Sequence, residues 1–130
     1  MLRVFAKRED GAATIEALLW IPLMLFFFSL LADAAMIFTS QAQVLRIVQD
    51  GNRKFAIGFY ETTNEVEDYV EATIANLTPN ATAVTETSVG AIVRTTVTMP
   101  ASDVIISGLM DSFLDLDVTV TSFHLMEDQS

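Results

Sequence analysis

The stretch from Ala12 to Asp33 constrains this chain more than any other. It is 22 residues long and carries one internal carboxylate, Glu16, before it ends on a second at Asp33. At 1.5 Å per residue it makes about 33 Å of helix, enough to cross a hydrocarbon core of roughly 30 Å. Hydrophobic residues are 52% of the chain and concentrate between positions 12 and 38, so the high mean hydropathy is local. The remainder has the composition of an ordinary soluble domain. With a span subtracted from 130 residues, one small domain with a modest core is what fits.

The flanks of this stretch differ in charge. Three of the seven basic residues, Arg3, Lys7 and Arg8, precede Gly11, and the positive-inside rule then predicts residues 1–10 in the cytoplasm and everything after about residue 38 outside. Residues 39–130 hold four basic against thirteen acidic residues. Such a surface repels polyanions, so no nucleic acid is expected as a partner. The chain has no cysteine, which excludes disulfides, thiolate metal sites and thiol catalysis.

Within the apolar stretch, Asp33 is expected near the far interface with its carboxylate reaching water, and Glu16 one turn inside the near one. Pro22 lacks an N–H and crowds the Leu18 carbonyl, which predicts a kink in the first third of the span. Trp20 is expected to contact lipid. The small-residue junction Gly11-Ala12, between a charged leader and the apolar run, reads as a processing site. Ala32-Asp33-Ala34 offers a second reading, a secretory signal cut after Ala34. In a third, the chain stays uncut as an anchored binding module.

Gly11, Ala12 and Glu16 together carry a resemblance. Glycine, a break, and glutamate at the fifth position after it resemble the class III leader junction of type IV pilins and pseudopilins. Asp10-Gly-Ala-Ala-Thr-Ile-Glu16, Leu19-Trp-Ile-Pro22 and the extension from Gln41-Ala-Gln43 to Asn52-Arg53 are most similar to the TadE-like family. The resemblance covers about the first 60 residues and implies cleavage between Gly11 and Ala12 by a membrane-embedded prepilin peptidase. It implies assembly work in a Tad (tight adherence, Flp-type) pilus system at a bacterial inner membrane. The partners would be that peptidase, other pilins or pseudopilins and the Tad membrane platform, and the chain would be a substrate with a periplasmic outer domain. Where the family often has an aromatic after the glutamate, this chain has Ala17, which weakens the assignment as a major pilin.

A role for Glu16 also follows from charge alone. Cleavage after Gly11 creates an ammonium at Ala12, and a carboxylate one turn away can neutralise it, within one chain or across to a neighbour in low-dielectric surroundings. The simpler alternative is an acid snorkelling to the interface.

The expected divisions are a removable leader over 1–11, a membrane helix over 12–38 and an outer α+β domain over 39–130. Val44, Val48, Gly51, Phe55 and Phe59 predict that the first helix continues to about Tyr60, with a bend near Gly58-Phe59. Thr62-x-x-Glu65 has the form of a capping box for a second helix over 63–77, with Val66, Tyr69, Val70, Ile74 and Leu77 on one face. The acids Glu61, Glu65, Glu67, Asp68 and Glu71 lack calcium-loop spacing, so a solvated face is expected and no metal site. Ala81–Val89 and Ala91–Met99 read as a hairpin around Gly90. Ser102 or Asp103 is expected to cap a short helix carrying Val104, Ile105, Leu109, Met110, Phe113 and Leu114. Leu116–Leu125 gives a third strand, completing an antiparallel sheet packed on the helices.

No catalytic constellation emerges. His124 is the sole histidine and is expected as a strand residue, and the serines lack a partner in any recognisable arrangement. Neither an enzyme nor a cofactor is expected. The sequons Asn76-Leu-Thr78 and Asn80-Ala-Thr82 are assigned no function in this Thr-rich stretch. The tail Glu127–Ser130 is expected to fray.

Overall fold

The computed structural model describes the backbone of residues 6–126 and the side chains of residues 11–126. The leader residues 1–5 and the tail 127–130 lie outside the described residues, as do the side chains of 6–10. The architecture is α+β: helix α1 (Ala6–Ala56), helix α2 (Thr63–Ile74), strands β1 (Thr82–Ser88) and β2 (Ile92–Pro100), helix α3 (Leu109–Phe113) and strand β3 (Asp117–Leu125). The three strands form one antiparallel sheet in the order β1-β2-β3.

α1 runs through Pro22 without a break and shows no boundary at residue 38. Its later turns form the core stripe, with Val44, Val48 and Phe55 buried. The expected extension to about Tyr60 is corrected: α1 ends at Ala56, and Phe59, the last residue of the expected stripe, is exposed. Gly58 adopts φ +78°. Its N–H donates to the Phe55 carbonyl and that of Phe59 to the Lys54 carbonyl, a pair of bonds that closes a helix around a left-handed residue. This turn swings Phe59 away from the stripe.

The capping box forms as expected. The Glu65 N–H donates to Thr62 Oγ1 at 3.4 Å, while the Thr62 N–H donates back to Glu65 Oε2 at 3.3 Å. α2 then buries Val66, Val70 and Ile74 against α1. Contact is close at Gly51, where a Cβ would meet Val66 Cγ1 and Val70 Cγ2 at 3.3 Å each, so glycine lets the helices approach.

The sheet alternates as the Thr/Val pattern predicts. Val93, Thr95, Val97 and Met99 of β2 face inward with Ala83 and Thr85 of β1 and Val118, Val120 and Ser122 of β3. The hairpin turns through Gly90 and Ala91, both at positive φ.

Three further expectations are corrected. The helix foreseen from Ser102 or Asp103 is split into a 3-10 turn over Ala101–Asp103 and the five-residue α3, which starts after Gly108 at φ +69° with no side-chain cap. Asp103 instead accepts from the N–H of Asn80 at 3.0 Å and from its Nδ2 at 2.9 Å. The acidic face of α2 is not simply solvated. Glu71 accepts from the Ala83 N–H at 2.8 Å and Glu67 from the Thr85 N–H at 2.6 Å, so two glutamates cover backbone donors on the open edge of β1, groups that would otherwise invite another strand. Asp33, expected in contact with water, is fully buried.

Candidate functional site: the apolar half of the first helix

From Ile15 to Leu31, twelve large apolar side chains of α1 are each 39–72% exposed. Such exposure on all sides exceeds the patches that water-soluble monomers tolerate. The most apolar 18-residue window reaches a mean hydropathy of 2.2 with none of it buried. α1 is therefore long and apolar enough to cross a membrane.

The residues singled out in the sequence sit on this helix in simple surroundings. Gly11 is exposed, and a Cβ placed there would meet nothing within 4 Å. Ala12 and Glu16 are exposed and four residues apart, which puts them on one face, one turn from each other. Pro22 leaves the Leu18 carbonyl without its helical donor, and Trp20 is exposed.

At the other end of the stretch, Asp33 is a structural receiver. Its Oδ1 accepts from the N–H of Ile106 at 3.2 Å and of Ser107 at 2.9 Å, and its Oδ2 from Ser107 Oγ at 2.5 Å. Ser107 Oγ in turn accepts from the Leu109 N–H at 3.2 Å. The bonds fasten the segment before α3 to the side of α1, and Phe113 of α3 meets Phe26 edge-on, with centroids 6.2 Å apart.

Two polar clusters higher on α1 hold the head in place. Asn52 is completely buried. Its Oδ1 accepts from Thr95 Oγ1 at 2.5 Å and its Nδ2 donates to the Ser122 carbonyl at 3.2 Å. With the Thr95 proton committed to Asn52, Thr85 donates to Thr95 Oγ1 across 2.9 Å. Asn52 thus ties α1 to β2 and β3 directly and to β1 through Thr95. On the surface between α1 and α2, Asp50 pairs with Lys54 at 2.8 Å and accepts from Tyr69 Oη at 2.6 Å, with the Lys54 ammonium 4.0 Å from the centre of the Tyr69 ring. The Lys54 ammonium, and after it the Tyr69 hydroxyl, holds the Asp50 carboxyl below its ordinary range, and the same contacts push Lys54 up.

The sequence predicts Gly11 as the last residue of a leader and Ala12, Glu16 and Pro22 on the helix that follows; α1 begins at Ala6 and runs through all four, and the roles of Asp33 and Asn52 are not legible in the spacing. A lone acid at the end of an apolar run, and a lone asparagine among apolar stripe residues, were the available signals. Elsewhere, His124 is a partly buried residue of β3, and among the described residues no three His, Cys, Asp or Glu side chains converge as a metal site. A groove of about 520 Å³ at the hairpin end is lined by Glu86, Arg94 and Phe123 among others, with Arg94 stacked 5.6 Å above the Phe123 ring. No family model, curated protein or solved structure matches this chain.

Proposed function

We propose that the chain is a minor pilin-like assembly protein of the TadE type. In this reading it is anchored in a bacterial inner membrane by α1, cut between Gly11 and Ala12 by a prepilin peptidase, and works by helix packing in a Tad-type pilus system. The observation that carries the reading is the placement of Ala12 and Glu16 one turn apart at the start of an exposed apolar helix that continues into a packed α+β head. The Gly11 peptide has open surroundings, and glycine lowers the cost of unwinding a helix for cleavage by about 0.5–1 kcal/mol. After the cut, the Glu16 carboxylate meets the new ammonium, its own or that of a neighbouring subunit.

Release after Ala34 fits less well. It would separate Asp33 from the Ile106 and Ser107 amides it receives. The head would lose the carboxylate that fastens the segment before α3 to α1.

Expression with and without a prepilin peptidase tests the reading. The full chain is expected to shorten by the 11 leader residues when the peptidase is present, and Gly11→Phe to block the change. Glu16→Ala is expected to be cut normally but to lose co-purification with other pilin-like subunits. Peptidase-independent length would refute the processing, and normal subunit pairing by Glu16→Ala would refute the role of the carboxylate.

A further inference from the structure

We propose that the segment around α3, residues 105–116, is a membrane wedge, seated in the boundary of the leaflet that faces the α+β head and packed there by lipid acyl chains. The inference rests on α1 crossing the bilayer, and it concerns a part of the head that the proposed function does not use.

The span sets the depth of the segment. A span of about 20 residues counted from Ala12 ends near Leu31 to Asp33. Phe26 lies seven residues before Asp33, about 10 Å along the helix axis. Phe113 stacks edge-on against Phe26, so it occupies the same level, inside the hydrocarbon. Amphipathic elements that lie in the boundary bury their apolar face to about 5–10 Å, which is the depth that this contact sets.

The surface chemistry matches. Ile106 is 72% exposed, Phe113 70% and Leu114 53%, and Phe113 and Leu114 adjoin Phe26 and Leu30 of α1. A groove of about 340 Å³ between α1 and α3 is lined by Phe26, Leu30, Ala34, Met110, Phe113 and Leu114. No lining side chain carries a hydrogen-bonding N–H, O–H or carbonyl, so an acyl chain fits where a polar partner would lose its hydrogen bonds to water.

Asp33 solves the problem that such a descent creates. Backbone amides that leave water must find acceptors within the protein. The two amides at the head of the descending segment, Ile106 and Ser107, both donate to the buried Asp33 carboxylate. Asp111 and Asp115, both exposed, set the opposite limit, because their charge keeps the segment at the boundary and out of the bilayer centre.

The chain has no cysteine, so single nitroxide labels report depth directly. The full chain in vesicles of phosphatidylcholine and phosphatidylglycerol is labelled separately at F27C, F113C, L114C and V89C. Val89, fully exposed at the hairpin tip, is the water reference. Relaxation by oxygen and by a water-soluble nickel chelate gives each position. F113C and L114C are expected at about 5–10 Å below the headgroup boundary, near F27C at about 9 Å, with V89C in water. Nickel accessibility at 113 and 114 equal to that at 89, with F27C in lipid, overturns the wedge and leaves the span standing. Shielding of 113 and 114 from both reagents also overturns it, because a protein would then cover the groove. If F27C itself lies in water, the span reading fails and the wedge falls with it.

Discussion

Removing the Asp33 side chain should free the segment that leads into α3 while leaving the head folded. Asp33→Ala strands the N–H groups of Ile106 and Ser107, both of which donate to one carboxylate oxygen. Ile106 and Ser107 are exposed on the protein surface, so the penalty comes from their seat in the membrane boundary: an unmet donor removed from water costs about 1–3 kcal/mol, and two cost roughly 2–6 kcal/mol. Asp33→Asn behaves differently. Its remaining oxygen can keep both amide bonds, and its Nδ2 can donate to Ser107 Oγ, since a hydroxyl oxygen accepts twice and already receives the Leu109 N–H. What the asparagine loses is charge assistance, about half the strength of such bonds, partly offset by the lower cost of burying a neutral group. The expected loss is about 1 kcal/mol. Hydrogen exchange of the full chain in lipid nanodiscs reads the difference at the two amides. Protection of Ile106 and Ser107 should fall by about 30-fold or more in Asp33→Ala and by less than about tenfold in Asp33→Asn, because 1.4 kcal/mol is a factor of ten. Amides of β2 should be unaffected in both. Equal protection in the two variants, or a change below about threefold in Asp33→Ala, would show that the carboxylate is not what holds this segment.

Asn52→Ala removes a buried side chain that joins α1 directly to β2 and β3 and, through Thr95, to β1. It should destabilise the head by about 2–4 kcal/mol, from a stranded Ser122 carbonyl and Thr95 hydroxyl together, read as a lower denaturant midpoint by near-ultraviolet circular dichroism. Glu67→Ala with Glu71→Ala uncovers the Ala83 and Thr85 amides. These two should exchange at least about fivefold faster, at about 1 kcal/mol per lost bond, and the head should self-associate through the opened edge of β1. Acid should weaken the α1–α2 contact through Asp50, whose carboxyl is held below the ordinary carboxylate range chiefly by Lys54 and then by Tyr69. A depressed folded value contributes stability that is complete above the unfolded value and is lost as pH falls through the folded one. Asp50→Asn should therefore flatten the part of the stability profile that lies below about pH 4, measured by thermal scans at stepped pH.

The elements legible in the sequence were those written in local spacing. Period-3.6 stripes gave the core face of α1 and that of α2, the Thr62 and Glu65 pair marked the start of α2, and Thr/Val alternation gave all three strands. Boundaries set by backbone sign were read less well. Gly58 marks a bend in the sequence, but the apolar spacing continues past it to Phe59 where the helix does not, and Gly108 divides a segment whose composition suggests one helix. Polar side chains were the least legible, because their partners are distant in sequence. Asp33 meets Ser107 from 74 residues away and Asn52 meets Ser122 from 70, separations at which spacing carries no signal. Glu67 and Glu71 looked like a solvated run because nothing local indicates that β1 would lay its edge against them.

Of the candidate site, the residues were legible but their use was not. Ala12 and Glu16 lie on one exposed face of α1, with Gly11 next to Ala12 in the chain, yet a helix face does not record whether a peptide bond is cut. The leader side chains Arg3, Lys7 and Arg8, on which the orientation rests, lie outside the described residues. Chemistry at the Gly11-Ala12 bond is what separates an assembly subunit from a simple anchor.

N-terminal sequencing of the mature chain, recovered from membranes of a bacterium that holds a prepilin peptidase, tests this claim most directly. Cleavage by the peptidase gives a start at Ala12, reading Ala-Ala-Thr-Ile-Glu. A start at Ala35, reading Ala-Met-Ile-Phe, or retention of Met1 would contradict it.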